Sequence, residues 1–179
     1  WAIPENIVDG GKKRSSRLAP YRIETLVTLR KGARWVEFET KINNNVPNHY
    51  LQAAFPTDVD AEFVYAQGQF DVVKRPIAKP DYSKYDEIPM TEQPMNSFVD
   101  ICNENEGAAI LNTGLKAYES DDDYNHTVYL SLLRCFELRI YVTPEEQNYS
   151  RIENGSQSFG EHTFRYAFMP HKGDWEDAQ

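Results

Sequence analysis

The sequence predicts an all-β fold, a β-sandwich of about ten short strands joined by long loops. Three observations predict it. Apolar residues recur with period two, and helical period hardly appears. Aromatic residues, which suit a pleated and half-buried surface, make up 13% of the 179 residues, with eleven Tyr and nine Phe. Turn residues stand between the alternating runs, at Lys31-Gly32, Asn43-Asn44-Asn45 with Pro47, Gln67-Gly68, Asn105-Glu106-Gly107, Asn154-Gly155 and Lys172-Gly173.

The strands follow in order. Tyr21 to Leu29 places Tyr21, Ile23, Thr25, Val27 and Leu29 on one face, and Val36, Phe38, Thr40 and Ile42 alternate with Glu37, Glu39 and Lys41. Leu51, Ala53 and Phe55 make the third strand, Phe63 with Tyr65 the fourth, and Phe70 with Val72 the fifth. Phe98 to Cys102, Ala108 to Asn112, Val128 to Leu133, Leu138 to Val142 and Thr163 to Met169 complete the set. Only Thr143 to Tyr149 reads as a helix, because Pro144 stands in its first turn with acids after it. Arg75 to Asn96 carries Pro76, Pro80, Pro89 and Pro94 and shows no periodicity. It reads as a long irregular loop within one domain spanning 1–179, since strands of the same character resume at Phe98. Asp121-Asp122-Asp123 reads as a solvated turn.

Hydrophobic residues at 40% and charged residues at 26% are those of a globular protein able to bury a core. The net charge of −9 argues against nucleic acid or an anionic membrane as partner, and leaves a neutral partner such as a sugar open. No window reaches the roughly 18 apolar residues of a membrane helix. The start at Trp1 has no basic segment followed by an apolar one and no Met, so the chain is expected to be an excised piece of a longer protein. Cys102 and Cys135 both lie in apolar runs and are expected as buried free thiols.

No self-contained active site can be nominated. A glycosidase needs two carboxylates across the scissile bond, but strands give no spacing rule that pairs any two of the 28 acids. His171 and Asp174 have HxxD spacing, with His162 one strand away. Zinc is conceivable there, but hydrogen-bonded histidines at strand ends are the better reading. No GxSxG occurs, and neither cysteine sits in a setting that would activate it. Sugar binding has the most compatible composition, with Tyr82, Tyr85 and Trp175 available to stack on a ring, although each more often packs. The sequons at Asn125, Asn148 and Asn154 read as chance matches.

Four stretches taken together resemble the C-terminal β-domain of the family 38 glycoside hydrolases, the α-mannosidases, and most closely its bacterial branch. They are VEFETKINNNVPNHYLQAAFP from Val36 to Pro56, FDVVKRP from Phe70 to Pro76, SFVDICNENEGAAILNTGL from Ser97 to Leu115, and Leu132-Leu133-Arg134 paired with the closing GEHTFRYAFMPHKGDW from Gly160 to Trp175. The resemblance covers residues from about 20 to 175 and rests on the order of the set. It implies a sandwich forming part of a galactose mutarotase-like supersandwich, packed against an N-terminal α/β barrel. That barrel, absent here, would hold zinc and an Asp nucleophile and act with retention of anomeric configuration. The chain itself is then expected to be non-catalytic and to hold no cofactor. Its partners would be its own catalytic barrel and, in a contributing role, carbohydrate in the form of mannosides. The resemblance places the stretches at Asn112 and at Pro170-His171 toward the barrel. Asn112, Arg134 and His171 are therefore its candidates for carbohydrate or domain-interface contacts. Some members carry Arg just after the position of Asn112; this chain has Thr113-Gly114. The alternative is an independent carbohydrate-binding or aldose mutarotase-like module, which would need a His acid and a Glu base, such as His162 and Glu161.

Overall fold

The computed structural model describes residues 1–9, 12–79, 81–84, 90–136 and 154–178. In chain order its strands are β1 (Ala2–Pro4), β2 (Ile7–Val8), β3 (Lys13–Arg14), β4 (Leu18–Pro20), β5 (Ile23–Thr28), β6 (Val36–Asn44), β7 (Tyr50–Pro56) and β8 (Phe63–Gln67). They continue as β9 (Val72–Pro76), β10 (Gln93–Pro94), β11 (Phe98–Cys102), β12 (Glu106–Asn112), β13 (Ala117–Ser120) and β14 (Thr127–Arg134). A one-turn helix α1 (Asn154–Gln157) precedes β15 (Gly160–Lys172). The chain is all-β, as the alternation predicted, and falls into two compact units.

The first unit comprises Trp1–Thr25, Thr40–Leu51 and Leu133–Thr163. It holds two antiparallel ribbons, β1 with β4 and β2 with β3. Strands of two or three residues are too short to show a period, so the sequence did not announce them. Asn44 anchors this unit. Its side-chain amide, 1% exposed, donates to the carbonyls of Gln157 at 2.8 Å and Ser158 at 2.9 Å. Asn154-Gly155, expected as a turn, opens α1 instead.

The second unit comprises Leu26–Glu39, Gln52–Leu132 and Phe164–Gln179. It carries the sandwich. One sheet has the order β5-β6-β15-β12-β11-β8-β9, and the other the order β10-β13-β14-β7. The pairs β15-β12, β12-β11, β11-β8 and β8-β9 are antiparallel. Alternation sends Val64, Val99, Ile101 and Ile110 to one face of the larger sheet, all buried, and Val128, Leu130 and Tyr118 of the smaller sheet are buried with them. Aromatic stacking continues the core further along, within the larger sheet between β6 and β15 and across the layers between β7 and β15. Phe38 stacks on Tyr166 at 5.3 Å and Phe55 on Phe168 at 5.8 Å.

Strand β9 begins at Val72 rather than Phe70, and Phe70 is fully exposed. The cause is a tight turn: the Gly68 N–H donates to the Asp71 carbonyl at 2.7 Å, and the Asp71 carboxylate accepts from the Val72 N–H. Within the expected loop Arg75 to Asn96, Ile77 and Met95 are buried and β10 pairs with β13, so its described ends cover the core. The expected strand Leu138–Val142 and helix Thr143–Tyr149 lie outside the described residues. Cys102 and Cys135 are buried free thiols, as expected.

Candidate functional site

The outer face of the larger sheet, in the second unit, gathers the polar chemistry. Register sets it up: Gly107 on β12 stands opposite Cys102 on β11 and opposite His171 on β15. A Cβ at Gly107 would lie 2.3 Å from the His171 ring and 2.6 Å from the Cys102 Cβ. The missing side chain therefore lets His171 lean across β12 to Asp100, where Nε2 meets Oδ2 at 2.8 Å. The two side chains are 4% and 2% exposed. Burial pushes the Asp100 carboxyl above its ordinary range, against the pull of bonds from the Cys102 thiol and His171. Oδ1 of Asp100 has no partner among the described residues. Burial and the neighbouring carboxyl push the Cys102 thiol up to about 12, so it is a proton donor and not a nucleophile.

The chain leaving β15 closes over this face. Gly173 turns with φ +69, its N–H donating to the Asn105 carbonyl at 3.0 Å. The Asp174 carboxylate accepts from the N–H groups of Glu176 and Asp177. That places Trp175 on Tyr65 and Phe98, with ring centres 6.1 and 6.5 Å apart, and the Ala178 carbonyl accepts from Arg34. Trp175 is thus a packing residue.

Beyond that cover the same face stays open as a cleft of 470 Å³. Trp35, with 39% of its surface exposed, and Leu26 on β5 form an apolar wall. Glu37 and Glu39 share one face of β6 by alternation. Arg30 pairs with Glu37 at 3.2 Å and Arg165 with Glu39 at 2.9 Å. The Trp35 indole N–H points at Glu37 Oε1, 3.4 Å away.

The three residues expected from sequence do not converge. Asn112 borders the cleft, but its amide is turned inward, accepting from the Leu115 N–H at 2.8 Å and donating to the Asn96 carbonyl at 3.3 Å. His171 is buried on Asp100, beneath the Trp175 cover. Arg134, in the first unit, ends β14 with its guanidinium 5.9 Å from the centre of the Tyr50 ring. Glu161 and His162, adjacent on β15, point to opposite faces, and His162 Nε2 is bonded to the Ser158 carbonyl at 2.7 Å. They do not form an acid–base pair across one sugar ring. Tyr82 lines a separate small cleft with Arg75 and Tyr118, and Tyr85 lies outside the described residues. Asp123 caps its own turn through the Thr127 N–H and hydroxyl, both at 2.8 Å. Among the described residues no three His, Cys, Asp or Glu side chains converge on a point that could hold a metal ion, so these residues do not fit zinc.

The fold is that of a two-layer β-sandwich domain, and the carboxylates that line its open cleft, Glu37 and Glu39, are each held in an ion pair with an arginine. Residues 8–137 match the family model for the glycosyl hydrolases family 38 C-terminal domain, and the chain belongs to that family. A protein of Halalkalibacterium halodurans assigned as a mannosylglycerate hydrolase is 28% identical over 165 residues, which cover 90% of this chain and 17% of that protein. Human alpha-mannosidase 2C1 is 27% identical over 157 residues, covering 88% of this chain and 13% of the relative. The crystal structure of an alpha-mannosidase from Enterococcus faecalis V583 superposes with a TM-score of 0.77 at 31% identity, over 92% of this chain and 17% of that one. The chain therefore spans less than a fifth of the length of these relatives.

Proposed function

We propose that this chain is the non-catalytic β-domain of an α-mannosidase-type glycoside hydrolase and that it supports a catalytic barrel, itself the zinc-holding part, elsewhere in the longer protein. Family membership supports the reading, and one structural observation carries it. The larger sheet ends at β5. On that strand Thr25 shares a face with Thr40, their hydroxyls 2.9 Å apart, so Val27 also points to the inner side, where a second layer belongs. Yet Val27 is 56% exposed, and Leu29, just past the end of the strand, is 69% exposed. An edge strand whose apolar inner side is left exposed is a pairing and docking surface in need of a cover. The remainder of the longer protein is the occupant this reading assigns, because relatives are several times the length of the chain.

The test is the paired change Val27→Asp and Leu29→Asp. In the isolated chain, exposed positions such as these change stability by no more than about 0.5 kcal/mol each. In the longer protein the same pair should lower the melting temperature and aryl α-mannosidase activity together. Unchanged melting and activity in the longer protein would refute the docking role.

A further inference from the structure

We infer that the open cleft on the outer sheet face binds a neutral hexopyranoside, stacked on the Trp35 indole and held by the Arg30–Glu37 and Arg165–Glu39 pairs. The inference deepens the reading above, which supplies the choice of mannose-type probes, and adds a ligand site on the sandwich itself. The cleft volume of 470 Å³ falls within the range of about 300–1,000 Å³ typical of small-molecule sites. Its wall presents a large exposed aromatic face beside an exposed leucine, a surface suited to the C–H face of a sugar ring. Trp175 does not offer this, since it is spent on Tyr65 and Phe98.

Charge selects the ligand. Each guanidinium is matched by one carboxylate, at 3.2 and 2.9 Å, so the pairs present no net charge to attract an acid or a phosphate. Each pair instead offers an acceptor next to fixed donors, which suits a vicinal diol that donates to the carboxylate and accepts from the guanidinium. Glu37 and Glu39 stand two residues apart on one face, about 7 Å along the strand, the span of hydroxyls across one pyranose.

The experiment titrates the 179-residue chain with methyl α-mannopyranoside and mannobiose, followed by NMR at the backbone N–H groups of Glu37 and Glu39, which line the cleft and are retained in every variant. Binding should shift those resonances, and Trp35→Ala should weaken binding by at least about tenfold, a difference resolved as one decade in Kd. Arg165→Ala, at a side chain 69% exposed, should do the same without disturbing the fold. Mannose 6-phosphate should bind no more tightly than mannose. No shift at those amides at high millimolar sugar, or binding that survives both substitutions, would overturn the site. Tighter binding of the phosphosugar would overturn the neutral class. Failure here leaves the supporting role intact, whereas mannoside turnover by the isolated chain would remove that role and leave the cleft.

Discussion

Truncating His171 to alanine strips Asp100 of its closest partner while leaving the carboxyl under the Trp175 cover. Asp100 is 1% exposed, and Oδ1 is already without a partner among the described residues. Removing one member of a buried pair costs about 3–5 kcal/mol, because the survivor keeps its desolvation without compensation. A substitution at an exposed contact costs about 0.5 kcal/mol or less. For a chain of this size each kcal/mol lowers the melting temperature by about 2–4 °C, so His171→Ala should lose at least about 6 °C at pH 8. The pH dependence has a definite sign. Burial raises the folded pKa of Asp100, and His171 is among the groups that pull it back down. Without the imidazole the folded pKa rises further. Stability carried by the protonated carboxyl is then present at low pH and lost as pH rises through that higher folded value. The deficit of the variant should accordingly be smaller at pH 5 than at pH 8. Urea unfolding of both proteins at the two pH values reads it directly. A loss below about 1 kcal/mol, or one independent of pH, would refute the buried-pair account.

Gly107→Ala should destabilise by about 1–3 kcal/mol through overpacking, since the new methyl meets His171 and Cys102 at 2.3 and 2.6 Å. In the double variant with His171→Ala the losses should be less than additive, which a double-mutant cycle measures. Asn44→Ala should cost about 1–3 kcal/mol by urea unfolding, because it leaves the Gln157 and Ser158 carbonyls short of a donor. Both thiols should resist a thiol reagent at pH 8 until the chain unfolds, since burial raises both and carries Cys102 to about 12; rapid labelling of the folded chain would contradict this.

Strands of five residues or more were legible because alternation over such a length is a strong signal; β11 falls on the expected residues, Phe98 to Cys102. The ribbons of the first unit were not, because Ile7–Val8 and Lys13–Arg14 carry no period at all. The closing stretch Gly160 to Trp175 stood out in the sequence, but the reason for its His171 did not. A glycine in an Asn-Glu-Gly sequence reads as a turn, and only register reveals that Gly107 clears a path for an imidazole to reach Asp100. Trp35 was passed over for a related cause. It follows Lys31-Gly32 and begins a regular alternation, and nothing in that pattern separates an indole lining an open cleft from one in a core. Asn112 was found at the edge of that cleft, yet its amide serves the loop beside it, a direction set by χ angles that no sequence spacing encodes.

The central claim is that the sandwich supports hydrolysis without performing it. The most direct measurement is the initial rate of aryl α-mannoside hydrolysis by the 179-residue chain and by the longer protein, with and without added zinc. The account predicts turnover by the longer protein alone, and turnover by the isolated chain above the buffer rate would contradict it.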